Sequence, residues 1–269
     1  STTALNNNIS SGIQGILVKS VGRVTGSAGT NAGTPRLFGT ASGPITIWTT
    51  GTTGGVSLGN WTQLNTTQSG TSGADITIGG GAPSSTDANR PSGPARDSGA
   101  DGIALGAASA SSIVVMRAGS GNISLSGEYT TVGTGGFSGI LLLPGNDLVG
   151  NQVSLRGVTG HNVDSGTAGT GIFAFYNSSV KTVIHATGSF PNPTAAVQLY
   201  SGSLSYWGSL FGPSVAATDA ITLRASGDNA GVTVTGTSTR SNRVGLWLGS
   251  VTIELSLIHI SEPTRPRLI

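Results

Sequence analysis

The sequence predicts an all-β protein with the architecture of a right-handed parallel β-helix, a solenoid in which short strands of successive coils stack. Three observations support this prediction. Short segments in which every second residue is apolar recur along the chain, as in strands with one buried face. Stretches of Gly, Ser, Thr and Asn, typical of turns, separate them. The segments of one kind recur every 24 to 37 residues, a spacing found in solenoids.

Two kinds of segment alternate from residue 76 to residue 248. The first kind reads apolar-x-apolar-x-Gly: "ITIGG" from Ile76, "ISLSG" from Ile123, "VSLRG" from Val153, "IHATG" from Ile184, "LSYWG" from Leu204 and "VTVTG" from Val232. The second kind usually has a small residue before its apolar alternation, whose first apolar residues are Ile103, Ile140, Ile172, Val197, Ile221 and Leu246. Because like segments follow one another in fixed order, we expect each kind to form its own parallel stack.

The chain before residue 76 is less regular. "PITIW" at residues 44–48 and "GVSLG" at residues 55–59 predict further coils, whereas residues 79–102, rich in Pro, Gly and Asp, predict an insertion loop on one side of the solenoid. We therefore expect one β-helical repeat region over residues 1–254, an uncapped fragment of a longer protein. A low-complexity linker is the weaker alternative, because twelve segments in fixed order indicate a buried core; a propeller would need four strands in each repeat.

Composition excludes several functional classes. Only 9% of the residues are charged and the formal net charge is +2. No cluster of Lys or Arg is present, so nothing predicts a nucleic-acid partner. No apolar run is long enough to predict a membrane span. The absence of Cys excludes disulfides, thiolate metal sites and Cys nucleophiles.

The segments "GNISLSG", "GFSGILLL", "NQVSLRG" and "GTGIFAF", together with "GVTVTGTSTRSNRVGLWLGSVTI", resemble the repeat region of filamentous-haemagglutinin-like exoproteins. The resemblance covers residues 76–254. It implies a secreted, autotransporter-like adhesin at the bacterial cell surface, exported by two-partner secretion through an outer-membrane partner, with a glycan or protein of a host cell or other surface as receptor. The Asn-Pro-Asn-Gly motif of the family's secretion domain is missing, so we expect an internal, structural shaft segment.

The last fifteen residues differ from the rest of the chain. "LSLIHISEPTR" from Leu255 resembles the translation of an adapter used in sequencing libraries. We therefore interpret residues 255–269 as a non-native tail and assign no function to the charged side chains within it.

Candidate catalytic groups are few, and we predict no enzyme activity, no cofactor and no metal site. His161 and Asp164 have a spacing that could bind a metal, but a solvated loop is the commoner setting for such a pair, and His185 is expected at the surface. Four further carboxylates, those of Asp97, Asp101, Glu128 and Asp147, do not recur at one position of the repeat. A carbohydrate-active β-helix enzyme and a phage tail fibre or spike remain the alternatives.

A binding stripe is the one candidate site. In the second kind of segment the residues expected to point outward are unusually apolar, since side chains alternate across a strand. Stacking would align Leu141, Leu143, Phe173, Phe175, Tyr200 and Trp247. An exposed apolar stripe of this kind would serve as an interaction surface, unless residues 129–138 or 159–170 fold over it.

Overall fold

The structure, a computed structural model, describes residues 2–5, 9–11, 15–26, 36–67, 72–106, 113–130, 137–160, 170–174, 180–203, 207–211, 221–238, 246–248 and 251–255. This part of the chain contains strands and turns but no helix. The strands belong to three sheets, and each coil contributes one strand to sheet 1, then one to sheet 2, then one to sheet 3.

Sheet 1 contains β1 (Thr2–Leu5), β4 (Arg23–Gly26), β7 (Val56–Leu58), β12 (Ile103–Leu105), β15 (Ile140–Leu142), β18 (Thr170–Ala174), β21 (Trp207–Phe211) and β24 (Leu246–Leu248). Sheet 2 contains β2 (Ile9–Ser11), β5 (Arg36–Thr40), β8 (Thr62–Asn65), β13 (Val114–Arg117), β16 (Asp147–Gly150), β19 (Thr182–Ala186), β22 (Ile221–Ala225) and β25 (Val251–Leu255). Sheet 3 contains β3 (Ile16–Ser20), β6 (Ile45–Thr49), β9 (Ile76–Pro83), β14 (Ile123–Tyr129), β17 (Val153–Thr159), β20 (Thr194–Ser203) and β23 (Ala230–Ser238), joined at its side by β10 (Pro91–Gly93) and β11 (Ala95–Asp97).

Successive coils pair in parallel, which confirms the predicted all-β parallel β-helix. Within sheet 3, Ile76, Ile123, Val153 and Val197 are consecutive register partners, and each is at most 1% exposed. Equivalent apolar columns on the other two sheets complete one continuous core. Successive side chains of one column lie about 4.8 Å apart, the spacing of hydrogen-bonded strands. Each apolar side chain is therefore buried only because the neighbouring coils pack against it.

The expectation of two stacks is wrong, since each coil has a third strand. Sequence analysis did not recognise β13 (VVMR) and β16 (DLVG), because an outward valine next to the inward apolar residues breaks the apolar–polar alternation in both. The segment from Ile184 lies partly in β19 of sheet 2, while the segments from Val197 and Ile221 lie in sheets 3 and 2 rather than in sheet 1. All three sheets use the same pleat, so the apolar alternation alone does not identify the sheet.

The glycines that open and close the segments have a common cause. Gly127 and Gly157 are the last residues of the segments "ISLSG" and "VSLRG", and Gly139 and Gly171 precede the first apolar residues of the segments from Ile140 and Ile172. A Cβ on Gly127 would overlap the carbonyl oxygen of Gly139, and one on Gly157 would overlap that of Gly171. The chain therefore passes itself too closely for any side chain at the corner between sheets 3 and 1.

The insertion at residues 79–102 folds against the solenoid. β10 pairs antiparallel with the end of β9, and β11 then pairs parallel with β14. The hairpin of residues 80–94, here called the arm, covers the outer face of sheet 3 at β6 and β9, where every residue of Ile45–Thr49 is buried. Trp48 is 1% exposed beneath it, and its indole Nε1 donates to the Gly81 carbonyl oxygen at 2.9 Å.

At the other end of the sequence, β25 runs to Leu255, whose register partner is Ala225. The strand thus includes the first residue of the segment interpreted as a non-native tail. Residues 256–269 lie outside the described residues.

Candidate functional site

The outer face of sheet 3 is open beyond the arm, at β14, β17, β20 and β23. Two columns of outward side chains run along it. Ser124, Ser154 and Gln198 form one column, and the second column contains Ser126, Arg156 and Tyr200. All of these side chains point away from the core because they alternate with buried residues. The open face is therefore polar, with one aromatic ring.

A cleft of about 470 Å³ lies where the arm meets this open face. It is called here the Arg156 cleft and is lined by Ser92, Gly93, Pro94, Arg96, Ser126, Glu128, Arg156 and Val158. The arm and β11 supply one wall, and β14 and β17 supply the floor. The cleft thus exists because β11 is inserted beside β14.

Three charged side chains line the Arg156 cleft, and two of them form an ion pair with each other. Arg96 Nε and Glu128 Oε2 are 2.8 Å apart, and these two residues are register partners in β11 and β14. The Arg156 guanidinium lies over the Tyr200 ring, 5.3 Å from its centroid. Among the described residues, Arg156 has no carboxylate within 4 Å. The cleft therefore carries a net charge of one positive unit.

The predicted binding stripe is divided by the three-sheet topology. Ala104, Leu141 and Phe173 are register partners on the outer side of sheet 1, and Leu141 and Phe173 are half-buried. Leu143 is half-buried and directly follows β15. Tyr200 does not join this column: it lies on β20 of sheet 3 and is 39% exposed.

The rest of that stripe is only partly described. The backbone of Trp247 pairs with Leu210, which in turn pairs with Phe173, so its register position continues the sheet 1 column. The side chain of Trp247 and the whole of Phe175 lie outside the described part of the structure, as do most of the two loops expected to cover the stripe. The binding role of this surface stays a prediction.

Two carboxylates from the insertion, Asp97 and Asp101, lie near Arg23 at the root of the arm. Asp97 Oδ2 is 2.7 Å from Arg23 Nη1, and the Ser138 amide donates to Asp101 Oδ1 at 2.6 Å. Burial raises the pKa of Asp101 to about 6, against the smaller lowering effects of the Ser138 amide and of Arg23. Asp97 and Asp101 are only 5% and 9% exposed, so this pair is a buried anchor rather than a site open to a polymer.

The other described candidate catalytic groups, Asp147 and His185, lie on sheet 2, away from the Arg156 cleft. Asp147 is ion-paired with Arg117 on sheet 2, where His185 also lies. His185 Nε2 is 2.8 Å from the Ser226 hydroxyl, and burial, aided by Arg224, lowers the pKa of the imidazole. His161 and Asp164 lie outside the described residues. Within the described ranges, no three His, Asp or Glu side chains are grouped so that they could hold a metal ion.

No family model matches the chain, and no curated protein and no solved structure is significantly similar to it. In the part of the chain that the structure describes, no helix is long and apolar enough to cross a membrane.

Proposed function

We propose that this chain is a non-catalytic shaft segment of a large secreted exoprotein, of the adhesin type, at the bacterial cell surface. The observation that carries the proposal is the continuity of the three parallel sheets, each of which runs through seven or more coils. A solenoid of this kind gives length and stiffness rather than an enclosed site. The resemblance to filamentous-haemagglutinin-like repeats supports the same function, with an outer-membrane secretion partner for the parent protein.

The placement of charge supports a structural function. Arg117 pairs with Asp147 and Arg224 pairs with Glu254, in each case between register neighbours or near neighbours on adjacent strands of sheet 2. These contacts link one coil to the next along the axis. An enzyme acting on polysaccharides would instead need two carboxylates facing the same substrate bond. The Arg156 cleft is lined by one carboxylate, Glu128, which Arg96 holds.

Antibodies raised against this chain test the proposal on cells that produce it. We expect them to label intact, unpermeabilised cells and to detect a polypeptide much longer than 269 residues. Labelling only after permeabilisation, or detection of a short soluble polypeptide, would overturn the proposal. Release of reducing or unsaturated sugar ends from a panel of polysaccharides by the purified chain would favour the enzyme, and a detergent-resistant trimer would favour the phage spike.

A further inference from the structure

We propose that the Arg156 cleft binds a carboxylated sugar chain, one of low charge density such as an oligouronide. The inference goes beyond the proposed shaft function, which needs no ligand. It rests on three features of the cleft: a guanidinium with no acidic partner among the described residues, a net charge of only one positive unit, and two small hydroxyl side chains, Ser92 and Ser126, in the lining.

Arg156 supplies the contact for the carboxylate. Its guanidinium presents a planar fork of donors that matches the two oxygens of a carboxylate. The Tyr200 ring beneath it holds the fork in place by a cation–π contact. Tyr200 in turn lies beside Gly202, where a Cβ would come within 3.5 Å of the ring. An arginine held this way loses little conformational freedom when it binds an anion.

The net charge of the cleft favours a ligand with a low density of negative charge. Arg96 and Glu128 neutralise each other, so only Arg156 remains to attract an anion. A ligand with several sulfates on each sugar would place negative groups against Glu128, and like charges at close range repel. One carboxylate on each sugar fits the single free guanidinium.

The uncharged lining favours a sugar over an acidic peptide. Gly93, Pro94 and Val158 line the cleft together with Ser92 and Ser126, and none of them forms a deep apolar pocket for a peptide side chain. The neighbouring column of Ser124, Ser154 and Gln198 continues the polar surface along the solenoid axis. Hydroxyl and amide groups both donate and accept hydrogen bonds, as sugar hydroxyls do.

Isothermal titration with tetragalacturonate tests the proposal, with a neutral tetrasaccharide, a heparin oligosaccharide and a short polyglutamate peptide as comparison probes. We expect saturable binding of tetragalacturonate and weaker or no binding of the other three. Arg156→Gln should weaken binding about tenfold or more, the size expected for loss of charged hydrogen bonds. Glu128→Gln should strengthen it, because Arg96 is then released and a negative charge is removed.

Arg224→Gln is the matched control, since it removes the same charge from an exposed site on sheet 2. It should leave binding unchanged, and circular dichroism should show the same fold for all three variants. Equal weakening by Arg156→Gln and Arg224→Gln, tighter binding of heparin or polyglutamate, or no binding of tetragalacturonate at millimolar concentration would each overturn the proposal. These outcomes leave the shaft function standing, because that function is tested by location on cells.

Discussion

The outer face of sheet 3 has two halves that share one pleat and one register but differ in their environment. At β6 and β9 the outward residues Thr46, Trp48 and Thr77 are at most 6% exposed beneath the arm. At β17 and β20 the outward residues Arg156 and Tyr200 are exposed. The difference shows that an outward side chain of a solenoid is buried where an insertion packs against the sheet and exposed where none does. The arm buries outward side chains on one half and supplies a cleft wall at the edge of the other.

Of the substitutions considered in the two halves, Trp48→Ala should lower the free energy of unfolding most. Trp48 is almost fully buried, donates to the Gly81 carbonyl oxygen and lies under the Lys19 ammonium group at 4.0 Å. Loss of a buried aromatic side chain typically costs about 3–5 kcal/mol. We expect a loss of stability in this range in urea unfolding, together with faster amide hydrogen exchange in β9 and β10.

Tyr200→Ala is the matched control, because Tyr200 is also an outward aromatic residue of sheet 3, but on the open half. Its stability should change by about 1 kcal/mol or less, as is usual at exposed sites. Similar losses for the two variants would mean that the arm does not cover β6 and β9 in solution.

Sequence analysis predicted the solenoid but not the arm, and the reason is physical. Apolar alternation reports the inward face of each strand, so Ile123 and Leu125 were identified correctly as core. Trp48 is buried on the outward side by residues more than thirty positions away, which no local pattern records. Arg156 belongs to a segment of the first kind, "VSLRG", and Tyr200 to one of the second kind, so two separate stacks were expected to hold them, whereas they are register partners in sheet 3.

The Arg156 cleft was missed for a related reason. Arg96 lies in a stretch whose Pro and Gly content predicted only a loop, yet it forms β11 and becomes the register partner of Glu128. The sequence carried little signal: "ARD" at residues 95–97 alternates buried, exposed and buried in the structure, but its second buried residue is Asp97 rather than an apolar side chain. Three residues are too few for periodicity to distinguish a strand from a loop.

Asp101 should make the root of the arm sensitive to pH. Its pKa is about 6 in the folded protein and 3.8 as an unperturbed side chain, so the folded state holds the proton more tightly than the unfolded state. The protonated Asp101 side chain therefore contributes to the free energy of unfolding; this contribution is fully present below pH 4 and is lost as pH rises through about 6. The difference between the two pKa values corresponds to about 3 kcal/mol of stability. Because Arg23 and Asp97 also carry charge at this root, the effect must be isolated by substitution.

Asp101→Asn provides that test, since the amide oxygen can still accept the Ser138 hydrogen bond. We expect the variant to be more stable than the parent at pH 7 and to show a smaller fall in stability between pH 4 and pH 7. Asp97→Asn should do the opposite at pH 7, because it breaks the ion pair with Arg23. An unchanged pH profile for Asp101→Asn would show that Asp101 titrates normally.

Gly79→Ala should have a smaller effect, confined to the covered half. A Cβ on Gly79 would lie 2.8 Å from the Gly93 carbonyl oxygen and 3.0 Å from Pro91 Cγ, so the arm would have to shift. Added atoms in a packed contact typically cost about 1–3 kcal/mol. Faster hydrogen exchange should appear in β10 and not in β20. Ser126→Ala, on the open half, is the control and should leave exchange unchanged in both strands.

The smallest expected effect is that of Glu128→Gln on stability. Glu128 and Arg96 form an ion pair at the boundary between the two halves, and their side chains are 22% and 50% exposed. Ion pairs with this exposure contribute about 1 kcal/mol at most, because water and salt screen the charges. The melting temperature should therefore change little, and less still in high salt. A loss as large as that of Trp48→Ala would show that Glu128 anchors the arm. A small loss would instead mean that this ion pair contributes little to holding β11 and the arm against β14.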